Sequence, residues 1–302
     1  MDSGLAIQAT QLFKRYGKTQ ALNGLDLTVG RGEVFGFLGP NGAGKSTTIR
    51  VLLGLIRANR GEAQVLGRRA GSVASREGGR VGALVEEPAF WDYMSGRRNL
   101  ELLARLSARA DRKRIDEVIE LVGLKGREND RVRTYSHGMK QRLGIAQALV
   151  PRPQLLILDE PASGLDPKGL VEIRDMLQRI NTEEGVTVFL SSHFLHEVEL
   201  MCSDAAIVSK GQIVRRDKVA NLLTTPETSV LIALDDLARG TEVLQGLEFV
   251  RSVASQDGLL RAVCPADALA DINSALVHAG LRVSEFARER LTLEDLYMEL
   301  MG

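Results

Sequence analysis

One stretch has residue types and spacing suited to holding phosphate. It is Gly39-Pro40-Asn41-Gly42-Ala43-Gly44-Lys45-Ser46, followed by Thr47, and it meets G-x-x-x-x-G-K-[ST] at every constrained position. Glycines let successive backbone N–H groups turn inward on an anion with no side chain in the way, and a helix starting near Lys45 adds the positive end of its dipole. Lys45 would reach the outer phosphates as a point charge, and the Ser46 hydroxyl would offer an oxygen to Mg²⁺. A second stretch, Leu155-Leu156-Ile157-Leu158-Asp159-Glu160, ends an aliphatic run in two acids. Asp159 would hold the metal, directly or through water, and Glu160 would polarise an attacking water. His193, after Ser191-Ser192, is either a loop histidine or a donor to the terminal phosphate or the attacking water. Ser136 and Gly138, in Tyr135-Ser136-His137-Gly138-Met139-Lys140-Gln141-Arg142, suit a plain helix N-cap and equally a second phosphate cradle.

These residues need particular elements to hold them. Glu33 to Leu38 is an apolar run of strand character, and Ile49, Leu52, Leu53 and Ile56 recur at helical spacing, so the glycine-rich stretch joins a strand to a helix. Four consecutive aliphatics before Asp159 predict a central parallel strand covered on both faces, with the acids at the carboxyl end, where open α/β sheets bind ligands. A turn containing Ser163-Gly164-Leu165-Asp166 and a helix to about Glu183 follow, then a buried strand over Val186–Leu190 and strands near 204–209 and 212–216. Leu143, Ile145, Ala146 and Leu149 predict a helix ending near Pro151.

Upstream, residues 5–13 and Leu25–Val29 suit strands around a polar turn, Lys14 to Lys18, that carries Tyr16. Tyr16 is either a surface tyrosine or a flat platform for a nucleobase. Residues 57–80, rich in Gly, Arg and Ser, predict a connecting hairpin and exposed loop, and Val81–Val85 a strand. Aromatics make up 4% of the chain, yet Phe90, Trp91 and Tyr93 crowd into one loop-like stretch after Glu86. They either form the centre of an interface or pack inward on the helices predicted over Asn99–Ala108 and Ile115–Leu124.

At 302 residues the chain is long enough for two domains. Acidic and basic residues balance at 39 each, so no global field favours nucleic acid or an anionic membrane surface. The two cysteines, Cys202 and Cys264, form no metal-ligand spacing and suit buried free thiols in a reducing compartment. The start, Met1-Asp2-Ser3-Gly4, has no basic region before an apolar core, and no run approaches the ~18 apolar residues of a membrane span. The expectation is a cytosolic chain whose membrane role would need a partner. After about Asn221 the pattern becomes Ser229–Leu234, Leu237–Leu247, Phe249–Ser255, Leu259–Cys264, Ala266–Ala279, Leu281–Phe286 and a helix Leu293–Leu300. That is β-α-β-β-α-β plus a terminal helix, the order of a small split βαβ domain carrying no obvious chemistry.

Over about residues 5–217 the chain resembles the ATP-binding subunit of an ABC transporter. The motifs stand in the family's order: Tyr16, the P-loop Gly39 to Thr47, a switch loop at Glu86, the signature Tyr135 to Arg142, Walker B with Asp159 and Glu160, the turn Ser163 to Asp166, and His193. The resemblance implies a P-loop NTPase of α/β class over 5–220. Its parts are a RecA-like core, an antiparallel β subdomain and a helical subdomain at about 87–150. A small α+β domain over 228–302 follows.

The resemblance also implies an ATPase using ATP and Mg²⁺. Glu160, His193 and Glu86 would be catalytic, with Ser46, Asp159 and Glu86 at the metal. The nucleotide would touch Tyr16, the P-loop residues, Ser136, His137, Gly138 and Asp166. Two features depart from the wider family: glutamate at 86 where glutamine is usual, and Tyr135-Ser136-His137-Gly138-Met139 where L-S-G-G-Q is usual. Both are similar to the ABC-2 export subfamily of bacitracin- and daunorubicin-type exporters. That implies two copies in an ATP sandwich, a separate membrane permease met near Phe90, Trp91 and Tyr93, and a place at the cytoplasmic membrane face. The cargo would be a drug, antibiotic or lipid-like molecule. The alternatives are a soluble ABC-type ATPase acting on DNA or the ribosome, which would carry a long coiled coil or a second cassette, and a non-hydrolysing regulatory module. For the C-terminal domain, dimer support and regulation both stand open.

Overall fold

Aliphatic runs without polar interruption become the inner strands of the sheet that carries the site. The computed structural model describes residues 4–72, 80–106, 112–224, 227–256, 258–289 and 292–301, and it divides into the units Met1–Val219 and Ala220–Gly302. The loop expected up to residue 80 lies outside the described residues over 73–79, as does the end of the helix expected to reach Ala108. The first unit runs β1 (Leu5–Tyr16), β2 (Thr19–Gly30), β3 (Val34–Leu38), α1 (Lys45–Leu52), β4 (Arg60–Val65), β5 (Arg68–Arg69), β6 (Val81–Leu84), α2 (Gly96–Leu106), α3 (Arg112–Leu121), α4 (His137–Leu149), β7 (Leu155–Asp159), α5 (Pro167–Glu184), β8 (Thr187–Ser192), α6 (Leu195–Met201), β9 (Asp204–Ser209) and β10 (Gln212–Lys218).

Every residue of β3, β7 and β8 is buried, as strands covered on both faces require. Among the described residues they lie inside a six-stranded sheet of order β10-β9-β3-β8-β7-β6, parallel except where β10 folds back on β9. The register sets Asp159 beside Ser191, and Leu38 beside Ser192. The carboxyl ends of β3, β7 and β8 therefore open on one edge, which is where the site forms.

A second, antiparallel sheet of order β2-β1-β4-β5 packs its alternating apolar positions against the first. Ile7, Ala9, Leu25 and Leu27 share one core cluster with Phe35, Phe37, Ile49 and Phe189. Pairing of Lys14 with Leu22 and of Arg15 with Gln20 carries β1 on to Tyr16. The polar turn expected over 14–18 is thus a hairpin turning at Gly17 and Lys18, because ladder hydrogen bonds outweigh the turn character of those side chains. Between β6 and β7 stand α2, α3 and α4. Arg114 of α3 is buried and meets Glu184 at 3.0 Å and the Leu149 carbonyl at 2.9 Å, which ties α3 to the ends of α5 and α4.

In the second unit, after α7 (Val219–Leu222) at the division, come β11 (Glu227–Leu234), α8 (Leu237–Gln245), β12 (Ser252–Gln256), β13 (Leu259–Pro265), α9 (Leu269–His278), β14 (Val283–Arg288) and α10 (Leu293–Met301). Its antiparallel sheet has the order β12-β13-β11-β14 over a core of Val230, Ile232, Leu244, Leu260, Ile272 and Leu276. The strand expected from Phe249 starts instead at Ser252. Val250 N–H closes a turn on the Leu247 carbonyl at 3.0 Å, and Phe249 and Val250 pack against the core from that turn.

Candidate active site

Two glycines of the phosphate loop are required by close backbone approach. A Cβ at Gly39 would lie 2.3 Å from the Val208 carbonyl oxygen, and one at Gly44, whose φ is 111°, would lie 2.7 Å from that of Ala21. Gly44 caps α1 at its N-terminus, so Lys45, Ser46 and Thr47 form the first helical turn. The β1–β2 hairpin lies beside the loop. Gly211 N–H donates to the Ala43 carbonyl, and Asn23 N–H to the Gly211 carbonyl, both at 2.9 Å. At the hairpin's end Tyr16 is 45% exposed, with Lys14 Nζ 5.2 Å from its ring centroid.

Lys45 is buried, and its ammonium is matched by three oxygens: Gly39 O at 2.7 Å, Glu160 Oε1 at 3.2 Å and Pro40 O at 3.4 Å. Glu160 stands just past β7 with φ at 52°, a left-handed conformation rare for a residue with a Cβ, and its other oxygen pairs with His193 Nδ1. The carboxylate is thus held between the phosphate loop and the histidine at the end of β8. Asp159 is buried and accepts from Ser191 Oγ at 2.5 Å. Ser192, one residue on, sits between Glu197 Oε2 at 2.9 Å and the N–H of Phe194 at 3.0 Å, and its carbonyl accepts from Gly39 N–H at 3.4 Å. Burial pushes the Glu197 carboxyl above its ordinary value.

Glu86 also adopts a positive φ, 66°, and its carboxylate is bound by Arg50 of α1 at 2.5 Å. The negative charge that glutamate brings in place of glutamine therefore faces a guanidinium. The signature helix begins earlier than its glycine suggests. α4 starts at His137, Ser136 caps it by accepting from Met139 N–H at 3.2 Å, and Gly138 lies inside the first turn. His137 Nε2 lies 3.2 Å from the Ser163 carbonyl oxygen, so the signature meets the turn after Walker B. Asp166 caps α5, accepting from Gly169 N–H at 2.8 Å. Trp91 and Tyr93 are 41% and 64% exposed, while Phe90 is half-buried, so the aromatic stretch divides between display and packing.

Three residues that the sequence reading missed complete the picture. Ser191 bonds both acids, since Glu160 N–H also donates to its Oγ at 3.0 Å. Arg50 holds Glu86. Asn99, fully buried, accepts from Trp91 N–H at 2.9 Å and donates to the carbonyls of Trp91 and Ser95, which fixes the aromatic loop. The available signals were a serine pair before His193 and an asparagine beside Leu100 on a helix face.

Ser46, Asp159 and Glu86 offer hard oxygen donors, the set that suits Mg²⁺ over thiophilic metals. Among the described residues no three His, Cys, Asp or Glu side chains gather to hold a metal. A cation here would therefore rely on phosphate oxygens for much of its coordination.

A phosphate loop entering a helix from one strand of an open parallel sheet, with acids at the end of a neighbouring strand, defines a P-loop nucleoside-triphosphatase. The family model described as ABC transporter matches residues 22–163. The uncharacterized ABC transporter ATP-binding protein YhcH of Bacillus subtilis is 38% identical, covering 93% of this chain and 91% of its own. The bacitracin transport ATP-binding protein BcrA of Bacillus licheniformis is 35% identical over 98% and 97%. Among solved structures, cbiO1 of Clostridium perfringens, part of the ABC transporter complex cbiONQ, superposes with a TM-score of 0.67 at 26% identity, covering 73% of this chain and 91% of that one. The chain belongs to the ATP-binding proteins of ABC transporters, the ATPase subunits that work with membrane permeases.

Proposed function

We propose that two copies of this chain associate head to tail and hydrolyse ATP to drive an exporter of the ABC-2 type. Each nucleotide would be held between the phosphate loop of one copy and Ser136–Gly138 of the other, with the base on Tyr16. Glu160 is the general base, and His193 orients it and the water or terminal phosphate. The observation that carries this reading is the Glu160 carboxylate spanned between Lys45 and His193 at the mouth of the phosphate loop. Ser46 and Asp159 would hold Mg²⁺, with Glu86 reaching it if released from Arg50. The metal would neutralise charge developing on the phosphate oxygens.

No helix among the described residues is long and apolar enough to cross a membrane. We place the chain at the cytoplasmic face, bound to a permease through exposed Trp91 and Tyr93 with Phe90 behind them. The bacitracin relative favours an antibiotic, drug or lipid-like cargo moved outward. Nucleotide at the interface supplies the differential affinity that closes the pair, so ATP closes it and hydrolysis releases it.

The test is Glu160→Gln, which should keep ATP binding, lose phosphate release by about 10²-fold or more, and accumulate an ATP-bound dimer. Hydrolysis at the native rate would remove Glu160 from the role of base.

A further inference from the structure

We propose that Ser191 is a positioning residue for hydrolysis: its buried hydroxyl sets the conformation of both acids at the end of β7. The proposal rests on the reading of Glu160 as base and Asp159 as the metal's carboxylate. Ser191 has no exposed surface. Its O–H donates to Asp159 Oδ1 at 2.5 Å, and the same oxygen accepts from the Glu160 N–H at 3.0 Å. One hydroxyl has the donor and the lone pairs for both bonds.

The arrangement follows from strand register. Asp159 lies directly beside Ser191 between β7 and β8, so a hydroxyl at this position reaches across to the last residue of β7 and to the peptide after it. That peptide belongs to Glu160, whose φ of 52° turns the chain out of the strand and aims its carboxylate at Lys45 and His193. A left-handed conformation in a residue with a Cβ persists where surrounding bonds over-determine it. Ser191 holds the Glu160 N–H, the Ser163 N–H donates to the Glu160 carbonyl at 3.2 Å, and Lys45 and His193 restrain the side chain. Ser192 points to the other side of β8, to Glu197, as alternation along a strand requires. The adjacent serines therefore serve separate networks, and Ser191 alone joins the acid pair.

Ser191→Thr and Ser191→Val have matched shapes and differ in the hydroxyl, which separates positioning from packing. In the full chain, with hydrolysis measured over a range of MgATP concentrations, Ser191→Thr should stay within about threefold of native kcat. Ser191→Val should fall by about 10²-fold in kcat, with KM for ATP within about twofold and a melting temperature below that of Ser191→Thr, because Asp159 and the Glu160 N–H lose their buried partner. Equal kcat for the two variants, or a loss confined to KM, would overturn the proposal. Glu160→Gln in the same assay separates the failures. Native turnover by Glu160→Gln would remove the base assignment and this proposal together, whereas an inactive Glu160→Gln beside equal Thr and Val variants would overturn this proposal alone.

Discussion

Lys45, Thr48, Asp159, Ser191, Ser192 and Glu197 are buried around the strand ends of the first unit, whereas among the described residues of the second unit Thr228 is the buried polar side chain. A buried polar group costs stability unless it is bonded, and a buried charge costs more. In the first unit each of those groups is bonded. Lys45 meets Gly39 O and Glu160, Thr48 donates to Gly44 O at 2.9 Å, and the serines bind Asp159 and Glu197. The second unit instead holds its sheet with Val230, Ile232, Leu260, Ile272 and Leu276. The first unit thus holds bonded polar groups at its strand ends, and the described core of the second is apolar apart from Thr228.

The contrast is broken most forcefully by Lys45→Ala. It should lower phosphate release by about 10²-fold or more while a melting curve moves little, and a large loss of stability with turnover intact would reverse the assignment. Ile232→Ala is the converse change. It should destabilise the second unit by about 2–5 kcal/mol, read by hydrogen exchange in β11 and β13, with KM for ATP unchanged. A smaller effect should come from Arg50→Ala, which leaves the Glu86 charge unpaired and should change turnover by about two- to threefold. In a Glu86→Gln background Arg50→Ala should have no such effect, and simple additivity of the two changes would contradict the pairing.

The smallest effect concerns Glu197, whose carboxyl is raised above its ordinary value of 4.5 by burial. An acid raised in the native state binds its proton more tightly folded than unfolded, so its contribution is present below 4.5 and is lost as pH rises through the raised value. Glu197→Gln keeps an acceptor for Ser192 without the charge. Its melting temperature relative to native should rise with pH across that window and then level off. A difference independent of pH would show that the carboxyl is not held protonated by the fold.

What the sequence revealed follows from local physics. The phosphate loop, the aliphatic run into Asp159-Glu160 and the β-α-β-β-α-β order downstream each depend on neighbours within a few residues, and the structure places them as that logic predicts. What it concealed depends on register. Ser191 and Asp159 are far apart in the chain and become partners through β7–β8 pairing, and Arg50 meets Glu86 across 36 residues of sequence. Asn99 looks like an ordinary helical residue until Trp91 folds over it. The N-cap read at Ser136 stands in the structure, but Gly138 lies inside the first turn of α4 rather than before it, because the Ser136 cap and the packing of Leu143 and Ile145 outweigh the local weakness of a glycine.

The central claim, that Lys45 and Ser136 act together from different copies, is tested most directly by mixing two inactive variants, Lys45→Ala and Ser136→Glu. A head-to-tail pair of one with the other contains one doubly altered site and one native site. Random pairing should therefore restore about one quarter of native sites, seen as phosphate release that neither variant shows alone. A mixture as inactive as its components would contradict the account.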